Sequence, residues 1–216
     1  MDIIWHGRSC FTIKGKNATV ITDPYEDTGF KKSKLKGDII ISNLSADEVK
    51  LIPVEGEVKI FDFPGEYERK QVAIRGIQAW NMSKKEEETQ KTESKKVTVF
   101  VFEIDGIKIC HLGNIGHTLT SELIESIGSV DILLIPVGGK YTIDAKKAHE
   151  IIEEIEPRIV IPMHYKTDGE KLDIEGCEAF LKGVGANPQP VEKFSVDSKT
   201  KLPQDHEEYV VLEVAE

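Results

Sequence analysis

The sequence predicts an α/β protein in which two β-sheets pack together and helices cover the outside. Three observations carry that prediction. Asp38-Ile39-Ile40-Ile41-Ser42 and the stretch from Asp131 to Val137 are unbroken apolar runs, the pattern of strands buried on both faces. Asp144 to Ile155 has helical spacing, with Ala148, Ile151, Ile152 and Ile155 on one face and Asp144 placed to cap the first turn. The third is a repeat: Thr19–Asp23, Gly37–Asn43 and Val58–Pro64 match Lys108–Leu112, Val130–Pro136 and Arg158–His164 in kind, order and spacing.

The remaining elements follow in chain order. Ile3 to Ile13 reads as a strand, a turn at Gly7 and a second strand from Cys10. Ala18–Thr22 is a short strand that ends at Asp23-Pro24, and Asp47–Leu51 is a candidate short helix. Val58–Phe63 and Val72–Trp80 are strands. Residues 83–96 are almost wholly charged or hydroxylic, the composition of a solvated loop. Val97–Glu103 and Lys108–His111 flank Asp105-Gly106, a strong hairpin signal. Thr120–Ile127 and Cys177–Val184 are short helices, the second closed by Gly185, and Val210–Val214 is a last strand.

Composition narrows the function classes. A formal net charge of -10 disfavours nucleic-acid binding. With 39% apolar residues there is enough for a core, yet no apolar run reaches the ~18 residues of a membrane span. The N-terminus lacks a basic, cleavable leader, so a cytoplasmic location is expected. Cys10, Cys110 and Cys177 are widely spaced beside apolar residues and are expected to be buried thiols.

Polar residues stand at successive strand ends, interleaved with Gly113, Gly116, Gly138 and Gly139. Asp23, Asn43, Ser45, Asp47, Glu48, Asn81, His111, Asn114, His117 and His164 are therefore expected to line one pocket, since ligands of α/β folds gather where strands end.

The blocks Trp5-His6-Gly7-Arg8-Ser9-Cys10-Phe11, Thr22-Asp23-Pro24, Cys110-His111-Leu112-Gly113-Asn114-Ile115-Gly116-His117, Val137-Gly138-Gly139 and Ile161-Pro162-Met163-His164-Tyr165-Lys166 resemble the metallo-β-lactamase fold superfamily. The nearest likeness is the branch of Zn-dependent hydrolases similar to ascorbate-6-phosphate lactonase. The resemblance implies a four-layer αββα sandwich, one domain over residues 1–216, and a metal site built on a His-x-His-x-Asp-His run. Here that run is Asn43-Leu44-Ser45-Ala46-Asp47-Glu48. Asn81 stands where a further His is implied, Asn114 where the bridging carboxylate is implied, and Arg8 where a site-edge His is often found. Among positions 43, 45, 47, 48, 81, 114 and 164, Asp47 and His164 keep the implied type, and Glu48 is an unusual ligand.

Neutral amides and hydroxyls are poor zinc ligands, and an amide between two cations removes the charge that holds them together. The expected function is therefore a metallohydrolase homologue without metal or catalysis, a pseudoenzyme. The alternatives are a lactonase or phosphoester-type hydrolase with one divalent metal on Asp47, Glu48 and His164, or a binder of a small anion through Arg8, Lys140 and Lys166, with Gly138, Gly139 and Tyr141 as further walls. A homo-oligomer is the expected assembly, if any. Arg8 is expected to replace the metal's charge by pairing with Asp47 or Glu48, and His117 to stand in the pocket wall.

Overall fold

The computed structural model describes residues 1–26, 30, 34–81 and 94–215. Most of the charged loop expected at 83–96 lies outside the described residues. A six-stranded sheet runs in the order β14-β1-β2-β3-β5-β7, and a seven-stranded sheet in the order β15-β13-β12-β11-β10-β9-β8. The strands are β1 (Asp2–Trp5), β2 (Phe11–Lys14), β3 (Thr19–Thr22), β4 (Leu35–Lys36), β5 (Ile39–Ile41), β6 (Val54–Glu55), β7 (Lys59–Phe61), β8 (Gly65–Arg69), β9 (Val72–Trp80), β10 (Lys96–Ile104), β11 (Ile107–His111), β12 (Ile132–Pro136), β13 (Ile159–Met163), β14 (Phe194–Ser195) and β15 (Glu208–Tyr209). Among the described residues, three α-helices, α1 (Ser121–Ile127), α2 (Ala145–Ile155) and α3 (Glu178–Gly183), join them. Sheets flanked by helices make this the αββα class that the resemblance implied.

The inner faces of both sheets merge into one core, with Trp5 and Phe11 from the first sheet and Phe100, Phe102 and Ile132 from the second. Each such side chain, buried from water, contributes about 1.5–3 kcal/mol. Helix ends follow local chemistry. Thr120 Oγ1 accepts from Leu123 N, and Asp144 accepts from Lys147 N, each satisfying a first-turn amide. Ala148, Ile151 and Ile152 turn the buried face of α2 inward.

The repeat is present in the strand register. Val20, Ile39 and Lys59 form one rung of parallel β3-β5-β7; Ile109, Ile132 and Ile159 form the equivalent rung of parallel β11-β12-β13. The aspartate before each central strand does the same work in both halves. Asp38 N donates to Thr19 O and its carboxylate accepts Thr19 N; Asp131 N donates to Lys108 O and its carboxylate accepts Lys108 N. Each carboxylate also meets a cation, Lys70 in one half and Lys199 in the other.

The structure departs from the expected elements in several places, including short strands at β4, β6 and β14. Residues 47–51 form no helix: Glu48 N and Val49 N both donate to Ser45 O, a turn fastened by Ala46 N on Asp62. Instead of a strand over 210–214, pairing occurs at β15 and at single bridges, Val191 with Leu212 and Trp5 with Val214. The edge strand β8 was not anticipated, because Gly-Glu-Tyr-Glu-Arg lacks the apolar content by which strands are recognised.

Candidate functional site

The strand-end residues surround the turn Gly7–Cys10, which three side or main chains hold in place. Trp5 Nε1 donates to Arg8 O at 2.8 Å, His164 N donates to the same oxygen at 3.1 Å, and His111 Nε2 lies 3.0 Å from Ser9 O. Three non-glycine residues here have left-handed backbones: Arg8 (φ 48°), Asp23 (φ 40°) and His164 (φ 53°). Each such residue costs on the order of 1 kcal/mol, and such strain concentrates at functional sites.

Asn43 occupies the first ligand position and is 1% exposed. Its N–H donates to Asp23 Oδ1 at 2.6 Å. Its carbonyl accepts Thr98 N at 2.9 Å, and its Nδ2 donates to Thr98 O at 2.8 Å. Its Oδ1 accepts Asn114 N at 3.0 Å. Thr98 belongs to β10 of the second sheet, beyond the end of β11, so Asn43 completes the ladder there and knits the sheets together. The fit is tight: a Cβ on Gly113 (φ 58°) would lie 2.2 Å from Asn43 Nδ2. Asp23 Oδ1 also accepts the Tyr25 hydroxyl at 2.8 Å, and that oxygen accepts Leu44 N at 3.0 Å.

The rest of the run is turned to other uses. Ser45 Oγ accepts Asp47 N at 3.3 Å within the turn, and Asp47 and Glu48 are exposed. Asn81 closes the base of the β9–β10 connection, with its Oδ1 accepting Lys95 N at 2.7 Å. Asp47 and Glu48 have no ion pair with Arg8; its carboxylate partner is Glu170, which corrects the expectation. Arg8 Nε and Nη2 donate to Glu170 Oε2 and Oε1, both at 2.9 Å, a two-pronged fork. The Glu170 side chain is fully buried. Burial pushes its carboxyl upward, but the Arg8 fork and Leu172 N outweigh that and hold it below the usual range. Nothing in the local sequence marks Glu170; only the need of a buried guanidinium for a carboxylate could have prompted a search for it.

The second half keeps buried imidazoles. His164 is 5% exposed, and burial lowers it to about 4, so it is neutral at pH 7. His111 is fully buried and likewise pushed down by burial, with Asp23 Oδ2 at 3.6 Å. His164 Nδ1, Asn114 Oδ1 and His117 Nε2 are buried without a hydrogen-bond partner. His117 Nδ1 lies 2.7 Å from Thr118 O.

The residues offered for a small anion are engaged. Lys140 is joined to Asp173, and Lys166 Nζ donates to Glu170 O at 2.6 Å and Leu172 O at 2.9 Å. Tyr141 is 53% exposed. Gly138 packs under His164, where a Cβ would lie 2.3 Å from His164 O, while Gly139 (φ 66°) makes the adjacent turn.

These donors do not fit a metal of the family kind. The amide at 43 is consumed in the seam between the sheets, the oxygen at 81 is taken, and the carboxylates at 47 and 48 face outward. Among the described residues, no three or more His, Cys, Asp and Glu side chains are grouped to hold an ion. Among the described residues, no helix is long and apolar enough to cross a membrane. The three cysteines are buried and stand outside any disulfide.

Comparison with known proteins agrees with the architecture. The beta-lactamase superfamily domain model matches residues 2–164. A UPF0173 metal-dependent hydrolase of Thermoplasma acidophilum is 31% identical over 215 residues, 86% of this chain and 92% of the relative. The crystal structure of a proposed Zn-dependent hydrolase of the metallo-β-lactamase superfamily from Thermotoga maritima is 32% identical, with a TM-score of 0.79 over 98% of this chain and 97% of that one. Igni18, a metallo hydrolase from Ignicoccus hospitalis, shares the fold at 17% identity and a TM-score of 0.62, over 91% of this chain and 99% of its own. The chain belongs to the metallo-β-lactamase superfamily, among relatives named as metal-dependent hydrolases.

Proposed function

We propose that this chain is a metal-independent member of its superfamily, a pseudoenzyme that keeps the hydrolase fold for binding. The observation that carries this reading is Asn43, whose side chain spans Thr98 and Asn114 at the first ligand position. A metal there would have to displace hydrogen bonds that hold the two sheets together. We take the strand-end polar atoms left without partners to form a polar recess. His164 Nδ1, Asn114 Oδ1 and His117 Nε2 are buried and unpaired, and each such group costs about 1–3 kcal/mol until something bonds it. Because Arg8, Lys140 and Lys166 already have partners, a neutral ligand with hydrogen-bonding groups suits this recess better than an anion.

The relatives' names favour a second reading, a metal-dependent hydrolase with an altered site that uses His164. Metal analysis of protein purified without chelators from zinc-supplemented cells separates the two. Substoichiometric metal, unaffected by His164→Ala, is the expected result. Stoichiometric metal lost in His164→Ala would establish the second reading.

A further inference from the structure

A separate cavity of about 840 Å³ opens on the far side of Tyr165, walled by Trp5, Leu181, Val211 and Val214. Several segments distant in sequence create it. The chain leaves β13 through the left-handed His164 and runs on as Tyr165–Asp168. Cys177 leads into α3, whose Phe180 plugs into the core while Leu181 faces the cavity. The C-terminal segment returns beside β1, where Ala215 N donates to Trp5 O at 2.8 Å. The Trp5 and Tyr165 rings meet at 5.0 Å between centroids and form an aromatic wall.

The polar groups of this cavity are biased to one sign. Asp168, Glu178 and Glu213 line it, all exposed, and none has a salt bridge among the described residues. Among the described lining residues the one cation is Lys166, and it neutralises none of them, because its Nζ is held by the carbonyls of Glu170 and Leu172. Thr167 Oγ1, also in the lining, is buried without a partner and can accept a hydrogen bond. Cys177 is no nucleophile here: burial, then the Glu178 charge, push its thiol up to about 12. Apolar walls of this volume accept a drug-sized molecule. Aromatic faces and unpaired carboxylates attract a positive charge and repel a negative one.

We infer that this cavity binds a small amphipathic cation, an apolar body bearing an ammonium group, seated against Trp5, Tyr165 and Leu181 with its charge among Asp168, Glu178 and Glu213. The cavity lining includes neither Asn114 nor His164, and neither assignment depends on the other. Competence for a cation comes from the acidic rim, and selection of an apolar body comes from the walls.

The test uses n-octylammonium and octanoate, which share an apolar tail and differ in the sign of the head. Binding is followed by calorimetry and by backbone amide NMR shifts on the full chain. Octylammonium is expected to bind about tenfold tighter than octanoate, about 1.4 kcal/mol, with shifts at Leu181, Thr167 and Val214. Glu178→Gln with Glu213→Gln, both at exposed positions, should remove most of that preference and leave the fold intact. Leu181→Trp should narrow the cavity beside Trp5 and Tyr165 and weaken binding. Equal affinity for the two probes, no binding of octylammonium, or retention of the preference in the double Gln variant would overturn the inference. Octylammonium affinity left unchanged in Leu181→Trp would do the same.

Discussion

The two halves of the strand-end region treat the family's ligand positions in opposite ways. On the first-half rim, the run from Asn43 to Glu48 has been absorbed into the scaffold or released to solvent: Asn43 is a buried connector, while Asp47 and Glu48 are exposed. On the second-half rim, His164, Asn114 and His117 stay buried with polar atoms unanswered. The contrast teaches that the consequence of losing a ligand depends on burial. A buried donor between two sheets must be replaced by something that satisfies both of them. An exposed one can change freely, because water satisfies it.

Breaking the first rim should give the largest effect. Asn43→Ala removes the side-chain bonds to Thr98 O and Asn114 N and leaves both groups buried, so it should cost about 3 kcal/mol or more in denaturant unfolding. Gly113→Ala should be comparably severe, since the new Cβ meets the Asn43 side chain and φ is positive. Next comes the charge fork. Arg8→Ala strands the buried Glu170 carboxylate and should cost about 3 kcal/mol, whereas Arg8→Ala with Glu170→Gln should recover part of that loss. The exposed positions define the lower end: Asp47→Asn and Glu48→Gln should each change stability by less than about 0.5 kcal/mol.

The second rim can be probed by pH. His164 is about 4 when folded and 6.5 as a free side chain, so the unfolded chain binds the proton more readily. Its contribution is complete above pH 6.5 and is lost progressively as the pH falls toward 4, by about 3 kcal/mol in all. His111, also pushed down by burial, acts in the same direction. His164→Gln should flatten the unfolding free energy against pH in that window; an unchanged slope would show that His164 is protonated in the folded protein.

Much of the fold was legible in the sequence because burial and periodicity write themselves locally. The Ile39–Ile41 and Ile132–Pro136 strands, the capping residue Asp144, and the repeat with its paired Asp38 and Asp131 all rest on short-range chemistry. The charged edge strand at Gly65–Arg69 escaped because its stability comes from pairing with β9 rather than from its own composition. The residue types at the ligand positions were visible, but the partners those side chains take were not. Asn43 bonds Thr98 and Asn114 from 55 and 71 residues away, and Arg8 meets Glu170 across 162 residues. Contacts at that separation leave no local pattern. Asp47 and Glu48 looked like the natural partners of Arg8 because they were near one another in motif, whereas the turn at Ser45 directs them outward.

The central claim is that Asn43 has converted a metal position into a joint between sheets. Zinc titration of the wild-type chain by calorimetry, paired with the same titration of His164→Ala, tests it most directly. The account predicts no saturable heat that distinguishes the two proteins. Saturable, stoichiometric zinc binding in the wild type that disappears in His164→Ala would contradict it.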